Sequence, residues 1–244
     1  MAGLLYKDFV AVHGKTYVAV LSVITLLLAV FAISPLPAAS NYAAAIIVGG
    51  LVTMAALILP MIVVGFIETG IIQTDEGVGK KAYVMSLPVS KRQYVASKYL
   101  FVLISYYVAL SVSLVWAQFV NGCMEEALQN SFLMDAMGLT PLLMQVLLLA
   151  SAIELPFFIN VGVKAGNAIK TGILVVVFFA MFGYGLFGDM TVLNNITWID
   201  WLKEHKTLTM TLNVFGPVIT GGLYYLSYRV AVSVFERREC RDEE

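Results

Sequence analysis

Charge is scarce in this sequence. Of its 244 residues only 13% are Asp, Glu, Lys or Arg, where a soluble globular domain carries about 25%. So few charges cannot cover a folded body of this size in water, and 60% of the residues are hydrophobic, with a mean hydropathy of +0.86. The same balance excludes a disordered chain, which needs low hydrophobicity and high net charge. An excess of one sign is missing too. The formal net charge of −1 offers no basic field to hold nucleic acid. Two cysteines are too few for a disulfide scaffold. A nucleotide-binding loop is also lacking. The nearest stretch, Gly77-Val78-Gly79-Lys80-Lys81, has neither the leading glycine spacing nor the hydroxyl that would hold magnesium. Enzymatic chemistry by this chain alone is not expected.

What is present is long apolar runs. A helix crossing a bilayer needs about 20 mainly apolar residues, because the hydrocarbon core is about 30 Å thick. Six stretches qualify: Thr16–Ile33, Tyr42–Ile67, Tyr99–Phe119, Leu139–Val161, Thr171–Phe187 and Leu208–Val230. Lipid offers no partner to a bare N–H or C=O, and the short alternating segments of a barrel are absent, so the spans are expected to be helices. The expected fold class is therefore all-α, a polytopic membrane protein with six transmembrane helices and one transmembrane domain over residues 1–244.

Lys and Arg in short loops set the orientation. Numbering alternate sides from the N-terminus, one side collects Lys7, Lys15, Lys80, Lys81, Lys91, Arg92, Lys98, Lys164, Lys170, Arg229, Arg237, Arg238 and Arg241. The other holds only Lys203 and Lys206. Both termini are thus expected in the cytoplasm, with 231–244 as a cytoplasmic tail. His13 and His205 then lie on opposite sides and cannot share a metal. Cys123 and Cys240 are separated likewise.

Outside the spans, residues 1–15 read as a short amphipathic helix in the membrane interface, with Leu5, Phe9 and Val12 on one face and Lys7 and Ala11 opposite. An ordered start to the first span is the alternative. Residues 68–98 form the longest cytoplasmic segment. Pro88 bars a continuous helix, and Ser90 suits the N-cap of a new helix starting at Lys91. Charge alone makes this a loop that fixes topology; the helix–break–helix pattern makes it a docking element. Within the spans one carboxylate stands out, Glu154, followed by Leu155-Pro156. It cannot easily face lipid. Cavity lining and structural hydrogen bonding both remain open for it.

These features together resemble a known family. The stretch Leu5-Tyr6-Lys7-Asp8-Phe9, the run Tyr83 to Arg92 with Ser86-Leu87-Pro88-Val89-Ser90, Lys98-Tyr99, Leu155-Pro156, Gly162 and Lys164-Ala165-Gly166 resemble the permease subunits of type-2 ABC exporters, the bacterial six-span group that includes phenol-soluble modulin and other peptide exporters. The usual form has Phe-Gly where this chain has Val161-Gly162. The resemblance implies that the N-terminal helix is interfacial and that 68–98 is a coupling loop. Its Tyr83, Ser86, Leu87, Pro88, Val89, Ser90, Lys91 and Arg92 would dock a separate ATP-binding cassette subunit. ATP and magnesium would then belong to that partner, with no cofactor or catalytic residue here, and a second permease chain, identical or a close paralogue, would complete the pathway.

The function so implied is ATP-driven export of an amphipathic peptide or similar hydrophobic cargo across the bacterial plasma membrane. Span aromatics such as Tyr106, Phe157, Phe178 and Tyr224 suit such a cargo, though they serve packing equally well. An ion-coupled carrier and a non-transporting membrane sensor or scaffold are the other classes. The first would call for more charged groups in the spans and an inverted repeat.

Overall fold

The computed structural model describes residues 2–11, 42–75, 90–123, 133–187 and 205–242. Among these residues the chain is helical, without a strand: α1 (Ala2–Ala11), α2 (Tyr42–Asp75), α3 (Lys91–Cys123), α4 (Leu133–Val161), α5 (Val163–Phe187) and α6 (Lys206–Asp242). Four stretches are long and apolar enough to cross a membrane: Ala55–Asp75, Lys91–Gly122, Thr140–Val161 and Met210–Arg237. They match the second, third, fourth and sixth expected spans. The fifth expected span falls within α5, and the first lies outside the described residues, as do Tyr83, Ser86, Leu87, Pro88 and Val89. The chain divides into two compact units, Met1–Leu148 and Leu149–Glu244.

In the first unit α2 and α3 form an antiparallel pair. The buried positions of α2 are Leu57, Met61, Val64, Glu68, Ile71 and Asp75, and those of α3 include Val95, Tyr99, Val102, Tyr106, Ala109 and Ser113. Both series advance by threes and fours, the spacing that keeps one helix face on a seam. Small residues let the backbones approach where Ala56 packs on Val120 and Leu57 on Ala117. Pro60 lies inside α2 and deprives the carbonyl of Ala56 of its helical donor. In this distorted turn the Ser113 hydroxyl donates to the next carbonyl, that of Leu57, at 2.9 Å. At 34 and 33 residues, α2 and α3 are each about 50 Å long. Both outrun a hydrocarbon core of about 30 Å.

α1 packs on that end of the pair with Leu4 and Asp8 buried, while Tyr6, Phe9 and Val10 are exposed. Of the apolar face expected from the sequence, Phe9 is exposed and does not pack on the pair. The helix turns its carboxylate inward and its aromatics outward.

In the second unit α4 and α5 form a hairpin around a single residue. Gly162 has φ 105°, a conformation that only glycine adopts cheaply. Its N–H donates to the carbonyls of Phe157 and Phe158, both at 3.2 Å, and its own carbonyl accepts from Gly166 N–H at 3.0 Å. One turn beyond, Gly166 lies against the Phe158 ring, in space that a methyl would fill. α6 runs alongside α4 in the same direction: Ser227 donates to the Ala152 carbonyl, and Asn160 Nδ2 donates to the Ala231 carbonyl at 3.4 Å. The Gly162 turn and the C-terminal end of α6 therefore lie at one end of this unit, which places Lys164 and Arg237 together at that end. Outward positions such as Val175, Val176 and Phe179 on α5 and Val218, Ile219 and Leu226 on α6 are apolar and exposed, as lipid or a partner chain requires.

Candidate functional site

The first candidate site is where α2 ends and α3 begins. Asp75 is the last residue of α2. Ser90 caps α3 as the sequence predicts: its Oγ accepts from Gln93 N–H at 3.3 Å, its N–H donates to Gln93 Oε1 at 3.1 Å, and its carbonyl accepts from Tyr94 N–H at 3.0 Å. This reciprocal box satisfies donors that the first turn otherwise leaves bare. Ser90, Lys91 and Arg92 are exposed, so these three of the expected docking residues are accessible at the helix start.

Directly beneath them lies a buried ionic cluster that the sequence reading missed. Lys98 Nζ stands 2.6 Å from Asp8 Oδ1 and 2.5 Å from Asp75 Oδ2. Lys7 Nζ stands 2.7 Å from Asp75 Oδ1 and 3.6 Å from Asp8 Oδ1. Tyr94 donates its hydroxyl to Asp75 Oδ2 at 3.1 Å, and its ring centroid lies 5.4 Å from the Lys98 ammonium. Asp8 and Lys98 are 0% and 1% exposed. A charge so buried is tolerated only when paired and hydrogen-bonded, and here each carboxylate meets both ammoniums. These groups come from positions as much as 90 residues apart. The one local signal was an acid–base pair, Lys7-Asp8, set in an otherwise apolar N-terminal helix. Lys98 and Lys7, which the charge tally counted as loop cations, are structural ions.

The second candidate is Glu154. It is 5% exposed on α4, and its Oε2 pairs with Lys170 Nζ at 3.4 Å. Both residues lie eight positions from Gly162 (162 − 154 and 170 − 162), so the hairpin sets them level, about 12 Å from the turn. Lys170 is thus not a loop cation either; it is the counter-ion of Glu154 inside the helical pair. Pro156 removes the helical donor of the Ala152 carbonyl, and Ser227 of α6 supplies the replacement. Asn160 Nδ2 donates to the Pro156 carbonyl at 2.8 Å. A groove among the described residues is lined by Thr207, Met210, Thr211, Val214 and Phe215. All belong to α6, so it is the surface of one helix and not an enclosed chamber around Glu154. No group of His, Cys, Asp and Glu suited to a metal occurs among the described residues.

No curated protein and no solved structure matches the chain. A family model does, described as ABC-2 family transporter protein, over residues 3–236. That match takes in every helix described above up to the last turns of α6. The chain belongs to the ABC-2 transporter family.

Proposed function

We propose that this protein is the permease subunit of an ATP-driven exporter in the bacterial plasma membrane. The observation that carries the reading is the family match over residues 3–236. Six helices cross the bilayer with both termini in the cytoplasm. Residues Tyr83 to Arg92 dock a separate ATP-binding cassette subunit, which supplies ATP and magnesium, and a second permease chain completes the pathway. The gathering of Lys164 and Arg237 at one end of the second unit supports the orientation, since cations concentrate on the cytoplasmic side.

α1 lies in the interface. Its outward Tyr6, Phe9 and Val10 with inward Asp8 invert the polarity of a helix bathed in water and suit a helix resting on lipid. Transport follows a population shift: ATP closes the partner subunits, and the permease moves toward an outward-open state through differential affinity for the two conformations. The cargo is an amphipathic peptide or similar hydrophobic molecule. Pairing of Glu154 with Lys170 leaves the spans without a lone titratable carboxylate at this position, which favours this reading over an ion-coupled carrier.

Purification in mild detergent tests the assignment. An ATPase subunit is expected to co-purify at one-to-one stoichiometry and to be lost when Ser86–Arg92 is replaced. Its absence from the unaltered protein would rule out the exporter reading. For the cargo, amphipathic peptides are expected to stimulate ATP hydrolysis by the reconstituted complex, whereas a sugar is not.

A further inference from the structure

We propose that Asp8 and Lys98 are positioning residues for energy coupling: their buried ionic cluster fastens α1 to both helix ends flanking residues 76–90. The inference rests on the reading that an ATPase docks there. Asp75 closes α2 and Lys98 lies two turns into α3, and their direct contact pinches the two flanks together. Asp8 joins α1 to Lys98, and Lys7 joins it to Asp75.

The α2–α3 pair has its own apolar seam and does not need the cluster to stay together. α1 does. Of its large apolar residues only Leu4 is buried, while Tyr6, Phe9 and Val10 face away. Its attachment to the flanks is therefore chiefly ionic, at two oxygen–nitrogen contacts of 2.7 and 2.6 Å, Lys7 to Asp75 and Asp8 to Lys98. Apolar packing would hold α1 at least as firmly, since buried ion pairs add little net stability. What the ions add is a fixed register, because each carboxylate must meet both ammoniums. A force applied by a partner at the flanks then reaches α1, and through it the apolar run 16–33 that follows in the sequence.

The charges also provide a clean test. Lys98→Met alone strands two carboxylates against Lys7. Adding Asp8→Asn removes one of them and leaves the balanced Lys7–Asp75 pair, so the double variant separates lost register from buried charge imbalance. In a Cys123→Ser, Cys240→Ser background, spin labels at Tyr6→Cys and Leu100→Cys, both exposed positions, report the α1–α3 distance in lipid nanodiscs. The unaltered cluster is expected to give one narrow distance distribution and the double variant a broad one, with Lys98→Arg staying narrow. The double variant should still capture the ATPase subunit, while cargo stimulation of hydrolysis falls about tenfold, a typical coupling loss.

A narrow distribution together with full stimulation in the double variant would overturn the proposal. If the double variant does not fold, Asp8→Asn alone, which keeps the side-chain shape and leaves Lys98 on Asp75, is read with the same labels and the same two outcomes. If even the unaltered protein captures no ATPase, the docking reading fails. The label distances then still decide whether the cluster holds α1, and a distribution left narrow by the double variant rejects that too.

Discussion

Ser227 donates its hydroxyl to the carbonyl of Ala152, the backbone acceptor that Pro156 leaves without a helical donor. A proline in a membrane helix thereby becomes a point of attachment for the neighbouring helix, because an unsatisfied carbonyl in hydrocarbon is costly. Ser227→Ala is expected to destabilise the protein by about 0.6 kcal/mol, the average for hydrogen bonds between membrane helices, and by no more than about 1.7 kcal/mol. In a Pro156→Ala background residue 156 regains its N–H and can close the helical bond itself, so the same change should cost almost nothing. Thermal unfolding of the four proteins of this cycle in detergent gives the coupling. Equal costs in both backgrounds would show that Ser227 does not serve the Pro156 gap.

The two glycines of the α4–α5 hairpin do different work, and their variants should separate. Gly162 is held at φ 105°, so Gly162→Ala carries the left-handed backbone penalty of about 1–2 kcal/mol, whatever its neighbours. Gly166→Ala pushes a methyl into the ring of Phe158, which is 1% exposed and has little room to yield. Overpacking of this kind costs about 1–3 kcal/mol. Phe158→Leu should relieve the second variant and leave the first unchanged, as read by unfolding temperature relative to Phe158→Leu alone.

Much of this fold was legible because lipid makes simple demands. Apolar runs of span length, Pro88 and the Ser90 cap mark the start of α3 without any knowledge of packing. The ionic cluster was not legible, because Asp8, Asp75 and Lys98 meet only through tertiary structure. In the N-terminal segment the apolar stripe of Leu5, Phe9 and Val12 could be read from the sequence, but the buried face of α1 could not, because it carries Leu4 beside the charged Asp8. Glu154 stood out as a carboxylate in a span, but its partner was misplaced because the fifth span was begun after Lys170. Equal spacing about Gly162 was the available clue.

Ser90 sits at the exposed start of α3, so loss of its cap should act locally. Ser90→Ala removes the acceptor of Gln93 N–H and should cost about 1 kcal/mol of first-turn stability. Hydrogen exchange at the Gln93 amide should speed up about fivefold, the equivalent of that energy, while the global unfolding temperature barely moves. Ser90→Asp, which keeps a side-chain acceptor, should retain the protection. Unchanged exchange in Ser90→Ala would mean that Lys91 begins the helix without help from Ser90.

Glu154 and Lys170 form one pair, but their burial differs, and that difference predicts an asymmetry. The Glu154 side chain is 7% exposed and that of Lys170 is 32%. Lys170→Met leaves a buried carboxylate with its counter-ion gone, a loss of about 3–5 kcal/mol when a pair is fully enclosed. That figure is a ceiling here, because Lys170 is partly open. Glu154→Gln leaves the ammonium instead, which is more exposed to begin with and can swing its long stem toward a more polar level. Lys170→Met should therefore lower the unfolding temperature more than Glu154→Gln, and the double variant should recover most of the loss, since no charge is then stranded. The reverse order of the two single variants would place the buried cost on the lysine and contradict the pairing argument. The same Glu154→Gln protein also settles the transport question at this position: if cargo stimulates its partner ATPase fully, the carboxylate holds the hairpin and takes no part in the cargo path.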